Sequence, residues 1–482
     1  MTLAHDVVQH VRGRCLVRPS QNLIQRTARF CAQSLILAAL VASAGLAPVL
    51  AQVKPAQSPP PQGPPTQNDY GHSVPLPSLP APAPVAPARI TLDQAIDLAT
   101  QRNHALLAAR TTILQNQAQE ITANLRPNPT ISWDTQFFPI FTPSEFNATY
   151  LENQAQFDLG IGYLFERGKK RQHRLAAAED QTSVTRSTVN DNQRTLIFNV
   201  SQQFINAVLA DSTLDFADQD LKSFQQTVDI SQLRFKAGDM SEADLLKIKL
   251  QMLQFQTDVS QAKLAKIQAL AALRQLIGFE SVPDNYDVQG DLEYQPVRGG
   301  LDDLKVLALA SRPDLIAADE GVTGARSQKA LAVANSKHDL GVTFDYTHTN
   351  GVNSGAFYFN IDLPIFDRNQ GEIARTGYAI AQAEQQATEA SEQAMSDVVD
   401  AYANLHSNDE IIQLYRSGYV DQAKESRDIS EYAFQRGSAS LLDFLDAERS
   451  YRANQLAYRQ ALASYMTAVE QLREAVGTRN LP

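Results

Sequence analysis

The chain has 482 residues, of which 43% are hydrophobic, and its formal net charge at pH 7 is −11. An acidic protein repels the phosphate backbone, so we expect no nucleic-acid partner. Both cysteines, Cys15 and Cys31, lie before residue 51, which excludes disulfides and thiolate metal sites from the rest of the chain.

The chain opens with a predicted secretory signal peptide, residues 1–51. Arg26 and Arg29 precede an apolar run at 35–50, and the small residues ending at Ala51 fit cleavage by a signal peptidase. An N-terminal membrane anchor is the alternative, but the apolar run is short for a membrane span. Removing this leader takes away five arginines and one aspartate. That leaves 37 basic and 52 acidic residues, a net charge of −15.

A proline-rich linker is predicted next, at residues 52–89. Twelve of the 23 prolines lie between Pro55 and Pro87, mixed with glutamine, serine and alanine. Such a composition has little apolar surface to bury, so we expect an extended tether here.

The rest of the chain is an internal duplication. Residues 229–278 align with residues 428–477 at a constant offset of 199, without a gap. Both copies predict a helix, two strands, a very long helix, a glycine turn and a further long helix. We therefore divide the chain into repeats at 90–300 and 301–478. Duplicated units of this kind bury their surfaces against neighbours.

The first helix and the paired strands are predicted from local patterns. Thr91 and Gln94 form a capping-box pattern, and the helix is expected to run unbroken to Leu125, before Pro127. Segments that alternate apolar and polar residues follow in both copies, at 131–137, 155–163, 342–347 and 357–363. Four strands of about nine residues, apolar on one face, suit a transmembrane barrel with a wet lumen. A half-buried soluble sheet is the alternative.

Two stretches without proline, residues 169–236 and 373–436, each predict one uninterrupted helix. At 1.5 Å per residue each helix would be about 100 Å long. In the last helix, bulky residues recur every seven positions, and small residues lie between them. This heptad pattern predicts a coiled-coil seam. The bulky positions are Phe444, Tyr451, Tyr458, Tyr465 and Leu472.

The two long helices end in similar tips, residues 234–239 and 433–438. Each tip has a glycine where a left-handed C-cap is expected, and a serine, Ser241 or Ser440, then caps the next helix. The tips are candidates for docking of a partner protein, with a plain tight turn as the alternative. The candidate docking residues are Arg234, Gly238, Arg436 and Gly437.

Carboxylates lie in the first turns of the helices that follow the tips. Asp443 and Asp446 are three residues apart and so share a helix face, and the first copy carries Asp244 and Lys247 there. If several chains formed a tube, these residues would line its mouth as a cation-attracting gate. Ordinary helix-start charges are the alternative.

Basic residues follow the second strand, where anionic lipid headgroups would contact a barrel. They are Arg167, Lys169, Lys170, Arg171 and Arg174. A solvated helix start is the alternative. Nucleotide-binding loops, nucleophile elbows and paired-histidine metal motifs are absent from the sequence, so we expect neither an enzyme nor a cofactor.

In its layout and motifs the chain resembles the TolC-type outer-membrane efflux ducts. The resemblance covers about residues 90–478. It rests on the duplication, on Arg-Pro-Asp at 312–314, and on the second tip through Asp446. The string at 363–371, Leu-Pro-Ile-Phe-Asp-Arg-Asn-Gln-Gly, resembles the CzcC-like heavy-metal branch.

The resemblance implies a mainly α-helical fold with transmembrane β-structure. Long antiparallel helices would form an α-barrel, and each chain would contribute four strands to a twelve-stranded β-barrel in a homotrimer. Closed bacterial membrane barrels have at least eight strands, which also requires further copies of the chain. The implied partners are a periplasmic adaptor, an inner-membrane pump of the RND type and outer-membrane lipid.

We therefore expect an outer-membrane exit duct with a long periplasmic extension, which conducts metal cations or small toxic compounds. Two alternatives remain at this stage. One is a type I protein-secretion duct, and the other is a non-transporting periplasmic coiled-coil scaffold or adaptor. A scaffold of that second kind would carry one helical hairpin rather than two hairpins joined to paired strands.

Overall fold

The computed structural model describes residues 88–481. The predicted signal peptide, residues 1–51, and residues 52–87 of the predicted linker lie outside the described residues. The helices are α1 Leu92–Arg102, α2 His104–Ala123, α3 Ala148–Asn153, α4 Lys170–Ala237, α5 Glu242–Ile277, α6 Leu301–Ser311, α7 Pro313–Asn335, α8 Gln370–Leu414, α9 Val420–Gln435 and α10 Leu441–Val476. The strands are β1 Arg89–Ile90, β2 Thr130–Gln136, β3 Gln156–Phe165, β4 Asp287–Val288, β5 Leu340–Thr349 and β6 Val352–Asn360.

The helix α4 is continuous over 68 residues, as the sequence predicted. It packs against α5, with which it forms the first hairpin, and against α2, α7 and α10. The second hairpin consists of α9 and α10, and α10 also packs on α8. A helix of this length is stabilised mainly by packing along its sides, which these neighbours provide.

The second long helix is interrupted, so the prediction of one helix over residues 373–436 was wrong. The chain makes a π-turn at Tyr415–Tyr419 between α8 and α9, and Gly418 has a φ of 116°. A glycine can adopt this backbone conformation without a Cβ clash. At the equivalent position, 199 residues earlier, the first repeat carries Gln219 inside the unbroken α4.

The first predicted helix is also broken, at Asn103, between α1 and α2. The Asn103 side chain accepts a hydrogen bond from the Leu106 amide at 3.0 Å and donates one to the Leu276 carbonyl at 2.8 Å. It therefore caps α2 and ties it to the C-terminal end of α5. The capping box of Thr91 and Gln94 at the start of α1 is confirmed.

Arg312 makes the equivalent tie in the second repeat, between α6 and α7. Its side chain is only 4% exposed, and its guanidinium forms two hydrogen bonds with Asp314, at 3.0 and 2.7 Å. It also donates to Asp397 at 2.8 Å and to the Ala475 carbonyl at 3.1 Å. Burial alone would lower the pKa of Arg312, but the hydrogen bonds to the two carboxylates raise it, so the guanidinium stays charged.

The strands β2, β3, β5 and β6 form one antiparallel sheet in that order. In its register, Leu159 lies opposite Trp133 and Tyr346, and Ile161 lies opposite Ile131 and Phe344. Equivalent positions on neighbouring strands point to the same face, so these residues form one apolar surface. That surface is exposed in the single chain, with Trp133 at 77%.

Two details of the sheet differ from the prediction. The fourth strand spans Val352–Asn360, so it starts five residues earlier than expected, and Ile361 and Leu363 lie beyond its end. The reason is a tight turn at Asn350 and Gly351, which both have positive φ and return the chain directly from β5 to β6. The short helix α3 between β2 and β3 was not predicted. A separate pair of two-residue strands, β1 and β4, runs parallel.

The heptad seam of α10 faces the interior of the molecule. Phe444, Tyr465 and Leu472 are at most 2% exposed, and Ala468 between them is fully buried. Tyr465 also donates a hydrogen bond to the Gln295 carbonyl at 2.8 Å, which satisfies its buried hydroxyl. Of the predicted bulky seam positions, Phe444, Tyr465 and Leu472 are therefore confirmed as core residues, whereas Tyr451 and Tyr458 are only half-buried. Among residues 88–481 there is no helix both long and apolar enough to span a membrane.

Candidate functional site

Each tip is a tight turn that depends on one glycine. Gly238 has a φ of 84° and Gly437 a φ of 75°, so the predicted left-handed conformations are confirmed. The turns return backbone donors to the ends of α4 and α9. Asp239 donates to the Arg234 carbonyl at 2.9 Å, and Ser438 donates to the Ala433 carbonyl at 2.9 Å. These bonds satisfy carbonyls that a helix end leaves without partners.

A serine caps the helix after each tip, as predicted. Ser241 Oγ accepts the Asp244 amide at 3.1 Å, and Ser440 Oγ accepts the Asp443 amide at 3.2 Å. In the second repeat the capping is reciprocal, because the Asp443 carboxylate accepts from the Ser440 amide at 3.3 Å. The Asp443 side chain therefore helps to hold the start of α10 while remaining exposed.

The other candidate gate residues are also exposed or half-buried, and they have local partners. Asp446 forms an ion pair with Arg449 one turn along α10. Asp244 accepts a hydrogen bond from Ser241, and its carboxylate lies 3.2 Å from Lys247 Nζ. The hydrogen bonds from Ser241 and Lys247 lower the pKa of Asp244. Within one chain, the tips thus present carboxylates whose charges are partly offset by neighbouring cations.

Arg234 joins the two tips. Its Nη1 donates to the Phe434 carbonyl at 2.8 Å, and its guanidinium lies 5.4 Å from the centroid of the Phe434 ring. A Cβ added at Gly437 would lie 3.4 Å from Arg234 Nη2. Of the two candidate docking arginines, Arg234 therefore bridges the tips, whereas Arg436 is exposed and lies against Tyr432.

A stack of phenylalanines lies behind the tips, and the sequence predicted only one of its members, Phe444. The ring of Phe444 stacks on Phe434 with centroids 5.2 Å apart and on Phe224 with centroids 6.4 Å apart. Phe224 in turn stacks on Phe255 at 4.4 Å. The four rings come from α4, α5, α9 and α10, so they hold both hairpins together. Contacts between distant segments leave no local sequence signal.

The basic residues after β3 divide into paired and unpaired groups. Lys170 pairs with Asp339 at 2.7 Å, and Arg174 pairs with Glu166 at 2.9 Å. Across the described part of the chain, the remaining three predicted lipid-facing residues have no ion-pair partner. Those three are Arg167, Lys169 and Arg171. Within residues 88–481, no group of three or more His, Asp or Glu side chains is arranged to hold a metal ion.

Comparison with known proteins gives a consistent match over both repeats. The family model described as "Outer membrane efflux protein" matches residues 95–279 and 304–478. The cobalt-zinc-cadmium resistance protein CzcC of Cupriavidus metallidurans is 25% identical over 398 residues. That alignment covers 80% of this chain and 90% of the relative.

Two further comparisons involve a protein named CusC. The cation efflux system protein CusC of Escherichia coli K12 is 26% identical over 295 residues, which cover 58% of this chain and 62% of the relative. A solved structure of CusC superposes with a TM-score of 0.66 at 19% identity. It covers 85% of this chain and 99% of that one. At 19% identity, this structural similarity is evidence for a shared fold only.

Proposed function

The chain belongs to the outer membrane efflux protein family, and from this membership we propose that it is the exit duct of a tripartite efflux system. The family consists of outer-membrane channels rather than enzymes, so the prediction that the chain is not an enzyme is confirmed. In the proposed system, a periplasmic adaptor and an inner-membrane pump of the RND type deliver solutes to the duct. The duct conducts them outward without energy input of its own.

The assembly of copies into a duct rests on a row of helices with two apolar edges that have no partner among residues 88–481. The row is α5, α4, α10 and then α8 with α9, as given by their packing. On the edge formed by α5, large apolar side chains recur at heptad-like spacings and are more than half exposed. They are Leu246, Leu250, Leu253, Leu264 and Ile267.

The opposite edge of the row carries its own exposed apolar residues on α8 and α9. They are Met395, Val399, Ile411, Leu414, Ile429 and Tyr432. The α5 edge and the edge of α8 and α9 are different surfaces, so identical copies would contact each other head to tail, with one edge against the other. Head-to-tail contacts of this kind can close into rings. The burial of these leucines would stabilise the ring, since each contributes about 1.5–3 kcal/mol when removed from water.

The sheet supports the same assembly. Within residues 88–481, β2 and β6 each have one side without a neighbouring strand. Unpaired backbone groups cannot face lipid, so a sheet with an exposed apolar face must close through other copies. Three copies of four strands give the proposed twelve-stranded barrel. A trimer is therefore the assembly we propose, with outer-membrane lipid against the apolar face of the sheet.

We propose metal cations as the cargo. The proposal rests on the relatives named for cobalt-zinc-cadmium resistance and for cation efflux. It also rests on the carboxylates near the tips, because a ring of carboxylates concentrates cations and repels anions. Six of these carboxylates, Asp443 and Asp446 from three chains, would surround the proposed periplasmic mouth. The match over both repeats favours a duct over a single-hairpin scaffold.

The gate is testable by charge removal. We expect Asp443→Asn combined with Asp446→Asn to lower the cation-over-anion permeability ratio of the purified protein in planar bilayers. The reduction should be partial because Lys247 already offsets part of the charge. It should be largest at low salt, since the Debye length is about 10 Å at 0.1 M and longer below that concentration.

The matched control removes two aspartates from another helix start. Asp302 and Asp303 are exposed residues in the first turn of α6, away from the tips. Asp302→Asn with Asp303→Asn should leave the permeability ratio at its wild-type value. Wild-type selectivity in the Asp443 and Asp446 double variant at every salt concentration would assign those residues to helix capping alone.

A further inference from the structure

A cluster of charged side chains lies between the two hairpins, beyond the phenylalanine stack. All four helices contribute to it. Its carboxyl groups belong to Asp220 on α4, Asp258 on α5, Asp428 and Glu431 on α9, and Glu448 on α10. Its cations are Arg427 on α9 and Arg452 on α10. None of these residues belongs to the tips or to the proposed gate.

Two of the carboxyl groups are buried and face each other across the hairpins. The side chains of Asp220 and Glu448 are 6% and 7% exposed. They lie within hydrogen-bonding reach of one another. Two buried carboxylates at this separation repel strongly in a medium that screens charge poorly, so such a pair tends to retain one proton.

The arginines do not neutralise both members of the pair. Arg452 Nε lies 2.6 Å from Asp220, and the same guanidinium also contacts Asp258. Arg427 lies 3.1 Å from Asp428 and 3.2 Å from Glu431.

Glu448 is farther from a cation than Asp220 is. Its nearest cation is Arg427, whose Nε lies 3.9 Å from the Glu448 carboxylate. Asp220 is therefore the natural site of the negative charge, and Glu448 is the natural site of the proton. Burial, and then the Asp220 carboxylate, raise the pKa of Glu448 to about 8. Tyr451, beside Arg427, adds no charge in the neutral range, because burial raises its pKa as well.

The helix that carries Arg427 also adjoins the backbone break in the second repeat. The π-turn with Gly418 separates α9 from α8, whereas the first repeat has an unbroken helix at the equivalent position. A left-handed glycine between two helices is a position where the chain can bend without breaking either helix. The helix α9 can therefore change its angle relative to α8, whereas α4 and α10 have no such break.

We propose that Glu448 and Asp220 share a proton as a latch that holds the second hairpin against the first. Loss of that proton places two negative charges in a buried contact, and the tip end of the second hairpin then loosens from the first hairpin as α9 bends at the Gly418 turn. The latch rests on the proposed duct function, and it would regulate the periplasmic opening of that duct.

The direction of the pH effect follows from the difference between the pKa of Glu448 in the latched state and its pKa in the released state. In the released state, Glu448 regains water and returns toward the ordinary glutamate pKa of 4.5, whereas in the latched state its pKa is about 8. The contribution of Glu448 to the latch is therefore fully present below about pH 4.5 and is lost as pH rises toward 8, and burial raises the pKa of Asp220 as well, so its titration acts in the same direction. Between these two values each pH unit disfavours the latched state by about tenfold, and above pH 8 there is no further loss.

Amide hydrogen exchange of the purified, assembled protein tests the latch directly. Protection of residues 420–435, corrected for the intrinsic exchange rate, would be measured from about pH 5.5 to 8.5. In the wild type it should fall by up to about tenfold per pH unit and level off above pH 8. In Glu448→Gln, which keeps a hydrogen-bond donor and cannot ionise, protection should stay constant over the range.

The matched control is Glu470→Gln, because Glu470 is a similarly buried glutamate on the same helix but lies outside the cluster. This variant should follow the wild-type profile. Asp220→Asn removes the repelling charge, so this variant should flatten the pH profile of protection in the neutral range. It provides a second test of the latch if Glu448→Gln does not assemble. A wild-type profile without pH dependence, or a Glu448→Gln profile with the wild-type slope, would overturn the latch.

The exchange measurement requires no transport. A protein that shows the latch but does not conduct ions would contradict the proposed duct, and a conducting protein without the pH dependence would contradict only the latch.

Discussion

The two tip glycines hold a conformation that other residues adopt only with strain. Nothing lies within 4 Å of a Cβ added at Gly238, and at Gly437 the nearest atom is Arg234 Nη2. Steric crowding therefore does not explain the glycines, but their positive φ values do. Sequence predicted this conformation because a glycine at the end of a long helix is a local signal. It could not predict that Arg234 binds the other tip, since that contact joins residues 200 positions apart.

Substitution of Gly437 tests the proposed docking function of the tips. Gly437→Val should strain the turn by about 1–2 kcal/mol and distort the tip, because a branched Cβ disfavours the left-handed conformation. We expect crosslinking to the periplasmic adaptor and cellular efflux to be lost while the oligomer still assembles. The control is Gly371→Ala in α8, where an added Cβ meets nothing within 4 Å and φ is not positive. Wild-type crosslinking in Gly437→Val would contradict docking at this tip.

Among the secondary-structure elements, the sequence predicted the features that follow from hydrophobic periodicity and from helix capping. The long α4, the faces of the strands and the heptad seam of α10 follow from patterns within one segment. The breaks were missed. Asn103 ends one helix and caps the next, but a single asparagine in a helical pattern does not reveal a tie to the Leu276 carbonyl. Gly418 was missed for a similar reason, because an isolated glycine is often tolerated inside a helix.

The apolar edge on α5 gives a prediction at the same scale. We expect Leu250→Glu with Leu253→Glu to leave the chain folded but to disperse the assembly. Each lost leucine removes about 1.5–3 kcal/mol of burial, and the new carboxylates would have to be buried as well. Light scattering coupled to size exclusion in detergent would report the mass. Leu442→Glu is the control, because Leu442 is 75% exposed on α10 and lies outside the α5 edge. A double variant of unchanged mass would remove this edge from the interface.

For the whole molecule, the duplication was the most informative feature of the sequence. It predicted two similar hairpins and paired strands, and both are present. We retain residues 90–300 and 301–478 as the proposed extents of the two repeats. The repeats have diverged where they meet other surfaces. The apolar stripe at Leu250 and Leu253 is replaced by Arg449 and Arg452 in the second copy. The first repeat thus supplies the exposed apolar edge on α5. The second repeat supplies arginines at these positions, and Arg452 belongs to the charged cluster between the hairpins.

As a whole molecule, this chain is proposed to assemble side by side with further copies into one duct. Native mass spectrometry of the purified protein, released from detergent micelles, measures this most directly. We expect a single dominant species of three chains that persists on dilution, because four strands and one row of helices leave open edges in each copy. A stable monomer, in which those edges need no partner, would contradict it.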